Sequence, residues 1–459
     1  MTPSILRLAA GGLLAGAVLA WPAVARSALG PRYGGEVVIG VTEWPPSLQP
    51  GTSRGATASL LAGLVHETLV TVDAGGLPAP GLVPAWTSAA GGREWRLTLP
   101  DAAVFHDGRP VTADDALAAV RRFLASDSPA AAWLREGLDR QAPIDVPDPL
   151  HLILRFGEPR AAALVPLAAA GAAVVGPRGV GCGPFIPLSP SPGRRYRLTA
   201  FGGHVRGRPY LDAVDVALVG SAAALPAEFQ AEKIDVFAGE GPLSALASSL
   251  ILALDPARPP FDRAEARAAV AAAIDRDDIV RRLLPGGDAA PSLLLPDLLP
   301  PMVAYAPARG RRLDAAVSMV VGTDVPPLVS QRVVASLGDI GLRVDAVAVP
   351  PARVRTAAHG LRLFLWWPEV PEAGLALHEL RALAPSAAAP RDALAAADRE
   401  LDPERRRALL HQAEAALREE GTLIPIASVP VSYRARPGLH GLRLDPSARL
   451  VLEDAWREP

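Results

Sequence analysis

The chain of 459 residues contains one cysteine, Cys182, and one lysine, Lys233. A single cysteine excludes an internal disulfide and a thiolate zinc cluster, so the fold is held by packing alone. Basic and acidic residues number 46 and 48, a formal charge of -2. That balance excludes the electrostatic footprint of a nucleic-acid or anionic-membrane binder. Catalytic signatures are also missing. There is no H-E-x-x-H, no G-x-S-x-G, no G-x-x-x-x-G-K-[ST] and no cysteine and histidine cluster, and "GVGCGP" lacks the spacing of a dinucleotide fingerprint. The eight histidines are scattered along the chain. Enzymatic activity is therefore not expected, and neither a cofactor nor a metal is called for.

What is present begins with a leader. Arg7 gives a basic start, Leu8 to Leu19 is apolar and uncharged, and Ala23-Val24-Ala25 supplies the small residues that signal peptidase reads. The run from Leu8 to Ala25 is also just long enough for a membrane anchor, but Pro22 and the A-x-A pattern point to cleavage, with a mature chain starting at Arg26. No cysteine follows the run to accept a lipid, so the expected product is a free periplasmic protein rather than a lipoprotein. A chain this long has room for two or three domains with large cores.

The stretch "VFHDGRPVTADDALAAV" (Val104 to Val120) places a histidine beside acids in a way that suggests a catalytic or metal site. Local chemistry explains it otherwise. Asp107-Gly108 is a turn dipeptide, and Thr112 with Asp115 three positions on forms a capping-box pattern that starts a helix carrying Leu117, Val120 and Leu124 on one face. Asp114 and Asp115 then sit at the positive end of the helix dipole, and His106 takes a packing or hydrogen-bonding role.

Other segments alternate between strand and helix patterns. "GGEVVIGVT" (Gly34 to Thr42) and "WRLTL" (Trp95 to Leu99) read as strands, and Phe261 to Leu284 reads as two helices broken at an N-cap, Asp275. Between Asp314 and Val349 the pattern is strand, helix, strand, with Gly341 ending the helix, which predicts a parallel pair with a right-handed crossover. Asp402 before Pro403 opens a helix that stops at Gly421. The class is α/β, or α+β with mixed sheets.

In this order the motifs resemble the extracytoplasmic solute-binding proteins of ABC transporters, peptide/nickel-binding type, also called bacterial solute-binding protein family 5. The resemblance runs from "GGEVVIGVTEWPPSLQPG" through the block from Leu64 to Asp115, then "GCGPF" (Gly181 to Phe185), "GRPYLDAVDV" (Gly207 to Val216), Pro259 to Val280 and "WWPEVPEAG" (Trp366 to Gly374). It implies a periplasmic binding protein-like fold of two lobes joined by a hinge, with an enlarged first lobe. The corresponding boundaries are a signal peptide at 1–25, lobe I at 33–250 with an extra subdomain at about 56–176, lobe II at 251–427, and a return to lobe I at 428–459. It also implies a monomeric receptor that closes over a small, peptide-like solute and docks on an inner-membrane ABC permease. A non-peptide solute (metal chelate, sugar or amine) and a periplasmic sensor role are the alternatives.

In peptide-binding members an aspartate in a "DYPDP"-like turn takes the ligand's amino terminus. Here Glu369 stands at that place and Glu372 at the second acidic place, beside Trp366 and Trp367. A carboxylate in a water-poor cleft complements an ammonium, and indole faces attract cations. The competing reading makes Glu369 a solvated turn residue and the tryptophans core. Arg54, in the loop "GTSRGATAS", is placed by the resemblance at the cleft border, where it could meet a carboxylate.

Overall fold

The computed structural model describes residues 30–52, 55–189, 193–290, 292–300, 312–354, 357–384 and 389–458. The leader and Arg54 lie outside the described residues.

The first strand, β1 (Glu36–Val41), is the apolar run expected there, and helix α1 (Ala56–Val65) follows it. After a short hairpin of Val70–Val72 with Pro78–Pro80 come four strands, β2 (Ala85–Ala89), β3 (Glu94–Thr98), β4 (Ile144–Asp148) and β5 (His151–Arg155), which pair antiparallel in the order β2-β3-β5-β4. Helices α2 (Ala113–Leu124) and α3 (Pro129–Gly137) connect β3 to β4. The chain then returns through β6 (Phe185–Pro187), β7 (Arg195–Ala200) and β8 (Ala213–Leu218). β8 lies parallel to β1 from Glu36↔Ala213 to Val41↔Leu218.

A strand of nineteen residues, β9 (Val236–Leu254), leads into the second half. Helices α4 (Ala264–Ala273) and α5 (Arg276–Leu283) come next, separated where Asp275 accepts a hydrogen bond from the Asp278 N–H at 2.9 Å. Strand β10 (Ala315–Gly322), helix α6 (Pro327–Asp339) and strand β11 (Leu342–Val349) make the expected parallel unit, in register from Ala315↔Leu342 to Gly322↔Val349. Gly341 reverses the chain at the helix end with φ +88°. Strand β12 (Leu361–Trp366) then leads to helices α7 (Ala373–Leu383), α8 (Ala389–Arg399) and α9 (Pro403–Glu419). Asp402 caps α9 by accepting from the Arg405 N–H at 2.9 Å. The last long strand, β13 (Leu423–Ala435), runs back along β9.

Most of these strands join one ten-stranded sheet, whose main path is β11-β10-β12-β9-β1-β8-β7-β6, with β13 on β9 and the two-residue strand Asp288–Ala289 on β13. Its apolar side chains fall into separate cores. One collects Val37, Ile39, Leu60, Leu64, Phe185 and Val214, together with Tyr433 and Leu450 from the C-terminal part. A second is built by residues 69–182 around Leu97, Phe105, Phe123, Trp133 and Leu134. In the second half, one cluster contains Leu250, Leu252, Phe261, Val333 and Ile424, and another contains Ile251, Phe364, Trp366, Leu377 and Leu417. Consecutive residues of β9 feed opposite clusters, as the two-residue period of a strand requires.

The segment from Val104 to Val120 is a turn followed by a capped helix. Asp115 accepts from the Thr112 backbone N–H at 2.9 Å and its hydroxyl at 3.0 Å, and the Arg109 fork donates to both of its oxygens. Burial alone would raise the Asp115 pKa, but the Arg109 and Thr112 bonds outweigh it and hold the carboxyl below its usual range. His106 lends its ring Nε2 to the Gly183 carbonyl at 3.0 Å and meets Phe201 edge-on. The two glycines of "GCGPF" are required by close approach: a Cβ at Gly181 would lie 1.9 Å from the Val65 carbonyl oxygen, and one at Gly183 2.6 Å from the Val65 carbonyl carbon. The motif is thus a packing joint between α1 and β6.

Removing the hydroxyl that meets Asp115 weakens this helix start. Thr112→Ala should lower the unfolding free energy by roughly 1 kcal/mol in urea titrations, while His106→Ala should leave solute affinity nearly unchanged. A tenfold loss of affinity in folded His106→Ala would return that ring to the site.

Candidate functional site

The acidic loop follows directly from β12. Trp366 is the last residue of that strand and pairs with Ser249 of β9, so its side chain takes the inward face. It is fully buried, and its indole N–H has no hydrogen-bond partner among the described residues. Trp366 is a core residue. Trp367, one position on, is turned the opposite way and is 37% exposed. The tryptophan pair expected to present a joint aromatic surface is therefore divided between core and solvent.

Glu369 is half-buried and has one carboxylate oxygen engaged. Its Oε2 accepts from the Ser128 hydroxyl at 2.8 Å and from the Ala130 N–H at 3.4 Å, at the start of α3. Ser128 caps the same helix by accepting from the Ala131 N–H at 3.0 Å. A carboxylate at a helix N-terminus meets unpaired N–H groups and the positive end of the dipole. Among the described residues every hydrogen bond to the Glu369 carboxylate is on Oε2, which leaves Oε1 for a further donor.

The next residues anchor the loop on both sides. Val370, 2% exposed, and Leu375 join the core built by residues 69–182. Glu372 turns back instead: its Oε2 accepts from the Leu375 N–H at 2.9 Å as the N-cap of α7, and its Oε1 pairs with Arg406 of α9 at 2.7 Å. With 4% of its side chain exposed, Glu372 is occupied in holding α7 and α9 together.

A second polar group lies around the "GCGPF" joint. Glu67 accepts from His204 Nε2 at 2.9 Å and from Arg206 at 2.8 Å, and Arg206 also pairs with Glu453 at 2.8 Å. His204 and Glu67 are almost fully buried. Burial, followed by the neighbouring His106 and Arg122, pushes the His66 pKa down to about 3, and burial pushes the Cys182 thiol up to about 12. A buried imidazole of such low basicity is a weak proton acceptor, and an enclosed thiol that stays protonated is a weak nucleophile. Among the described residues no group of three histidine, cysteine or acidic side chains is arranged to hold a metal ion. A shallow depression of about 610 Å³ lies between α5 and α6, but Asp278 in it is already paired with Arg282 and Arg332.

The model of the family described as "Bacterial extracellular solute-binding proteins, family 5 Middle" matches residues 78–320, more than half of the chain. The chain belongs to this family. Family 5 relatives include the probable D,D-dipeptide-binding periplasmic protein DdpA of Escherichia coli K12, 26% identical over 223 residues, a span covering 44% of this chain and 42% of that protein. The chain thus matches less than half the length of this relative. Two solved structures share the fold over 93% of the chain. They are DppA from Helicobacter pylori in complex with the peptide STSA (TM-score 0.79, 17% identity, 99% of that chain) and AgaA from A. tumefaciens R10 in complex with agropinic acid (TM-score 0.77, 18% identity, 99% of that chain). The expected fold class, mixed α/β and periplasmic binding protein-like, is the one observed. Among the described residues no helix is long and apolar enough to cross a membrane.

Within this family 5 frame, sequence reasoning located the acidic loop but missed its partners. Ser128, Trp133 and Arg160 on one side, and His378 and Asp398 on the other, meet near the loop although some 240 residues separate them. No sequence spacing carries that signal.

Two outcomes follow from this geometry. Glu372→Gln keeps the cap but leaves Arg406 without its counter-ion, so scanning calorimetry should show a stability loss of about 3 kcal/mol with solute affinity preserved. The reverse pattern would place Glu372 in the solute site. His66 must stay neutral to remain buried, so its contribution to stability is complete above its ordinary pKa of 6.5 and declines as pH falls toward 3. Urea unfolding should lose about 2 kcal/mol between pH 7.5 and pH 5 through this group. A His66→Gln variant should lose correspondingly less, and equal losses in both proteins would assign the acid sensitivity elsewhere.

Proposed function

We propose that this protein is the periplasmic substrate-binding receptor of an ABC importer, acting as a monomer that closes its two lobes over a small, peptide-like solute and presents the closed form to inner-membrane permease subunits. The family match supports the receptor class. The ligands of the relatives, a D,D-dipeptide for the probable binding protein DdpA and the peptide STSA for DppA, support the solute class. Export by a cleaved leader without lipidation belongs to the same reading.

The observation that carries the mechanism is the position of Glu369 at the end of β12. It is held by Ser128 from the other side of the molecule, yet Oε1 remains open to a donor. Trp367 stands two residues away with its ring partly in solvent. An ammonium drawn to Oε1 would touch a group already tied to α3, and contacts to both sides at once are what favour a closed form. Arg54 is proposed as the complementary cation for a solute carboxylate. The agropinic acid complex of AgaA keeps a non-peptide solute as the second reading.

Native mass spectrometry of protein purified from periplasmic extract should reveal the bound solute, and calorimetry with that compound then tests Glu369. Glu369→Gln retains an amide oxygen for Ser128 while removing the charge. For a solute with an ammonium group, affinity should fall roughly thirtyfold or more, the usual consequence of losing about 2 kcal/mol or more from a desolvated charge pair. Equal affinity in the two proteins would mean that Glu369 serves α3 alone or that the solute is neutral or anionic.

A further inference from the structure

Beyond the solute site, the core built by residues 69–182 meets the segment from β12 to α8 through a set of polar contacts. Asp398, on α8, stands at their centre. Its Oδ2 is 3.4 Å from Arg160 Nη1 and 3.1 Å from His378 Nε2, and its backbone carbonyl accepts from the Ala161 N–H at 3.0 Å. The Arg160 guanidinium lies over the Trp133 ring, 4.3 Å from its centroid, and the His378 ring meets the same indole edge-on at 6.5 Å. One side chain of α3 and one carboxylate of α8 are thus gripped from both sides. Arg399 also pairs with Glu158 at the rim, and the Ser128 to Glu369 bond lies in the same interface.

The exposures of these groups set the energetics. The side chains of Arg160 and Asp398 are 15% and 10% exposed, so each has given up most of its water to the other. The Coulomb gain and the desolvation cost of such a pair nearly cancel, so the contact is reversible rather than a permanent weld. Separating the two sides would return both charges to water. A separation would also uncover Val370 and Leu375, whose burial favours the docked form.

We propose that Arg160, Asp398 and His378, packed around Trp133, form a closure latch that sets how much of the protein is closed before any solute arrives. This deepens the receptor reading, since it assumes that the two sides part and rejoin. The latch side chains act on the equilibrium between forms and do not touch the solute. Weakening them lowers the closed population and therefore the apparent affinity for every solute by the same factor.

The test is small-angle X-ray scattering of the full mature chain with no solute added, so its result is independent of what the solute is. Arg160→Gln and Asp398→Asn should each shift the radius of gyration upward, and the swap Arg160→Asp with Asp398→Arg should restore at least part of the wild-type compactness. Folded single variants with an unchanged radius would overturn the latch, even if solute binding and the Glu369 result stand. A larger radius in the single variants would support it, even if no peptide is found to bind. Should the interior variants fail to fold, Arg399→Glu decides the matter. It faces Glu158 where both side chains are more than half exposed. The expected result is a smaller upward shift, and no shift would count against the proposal.

Discussion

The fold depends on one antiparallel pair of strands. β9 and β13 run together from Val236↔Ala435 to Ala253↔Leu423, and along that length they leave one hydrophobic core and enter another. The burial of β9 records the passage: Val236 and Phe237 are buried, Ala238 to Leu246 alternate between exposed and half-buried, and Ala247 to Leu254 are buried again. A ladder of backbone hydrogen bonds resists stretching and shear, but its middle is stiffened only by half-buried side chains such as Leu243 and Val431. Register shifts fall at Ala238/Leu243, Leu246/Ser248 and Leu250/Ile251. Bulges of this kind bend a strand pair and raise its local twist. The hinge expected from the family resemblance would fall where side-chain packing on this strand pair is thinnest.

Once the two halves are joined in this way, the side chains at the ends of neighbouring strands fix what can face the opening. β12 pairs with β9 up to Trp366↔Ser249, so the loop that follows begins at the edge of the hinge. The inward turn of Trp366 buries its indole between β12 and the helices that follow, which locks the strand's end. That lock sends Trp367 outward and brings Pro368 and Glu369 toward α3. The acidic loop therefore bridges two hydrophobic cores. Its side chains divide the work, Trp366 and Glu372 toward the second half, Val370 toward the core of 69–182, and Glu369 between them.

How much of this could be read from sequence depends on the range of the forces concerned. Caps and turns are decided within three or four residues, so the Thr112 and Asp115 start of α2, the break at Asp275, the parallel unit from Ala315 to Val349 and the Asp402 start of α9 were all legible. The acidic loop was legible through resemblance. Its internal assignment was not. Whether adjacent tryptophans share a surface depends on where the strand ends, and the fate of Glu372 depends on Arg406, 34 residues on and beyond both α7 and α8. The partners of Glu369 and Asp398 lie about 240 residues distant, where local pattern carries no information. His106 was the reverse case: suggestive as a letter beside acids, yet engaged with the Gly183 carbonyl and Phe201 once the chain is packed.

A receptor of this design works under two opposed limits. A solute can shift the equilibrium between open and closed forms only by the difference in its affinity for them, so a protein already closed by its own contacts would gain nothing from binding. One with no contacts of its own would draw the whole cost of closure from the solute and bind weakly. An interface of mixed character meets both limits. Apolar groups such as Val370 and Leu375 favour docking without direction, whereas the desolvated pair of Arg160 and Asp398 accepts only one alignment and penalises docking once either partner is lost. Glu369 stands where these terms meet, with one oxygen engaged by α3 and the other open. In the proposed receptor, a cation reaching that oxygen would add to an arrangement already in register, so the solute contact would need to supply only part of the free energy of closure.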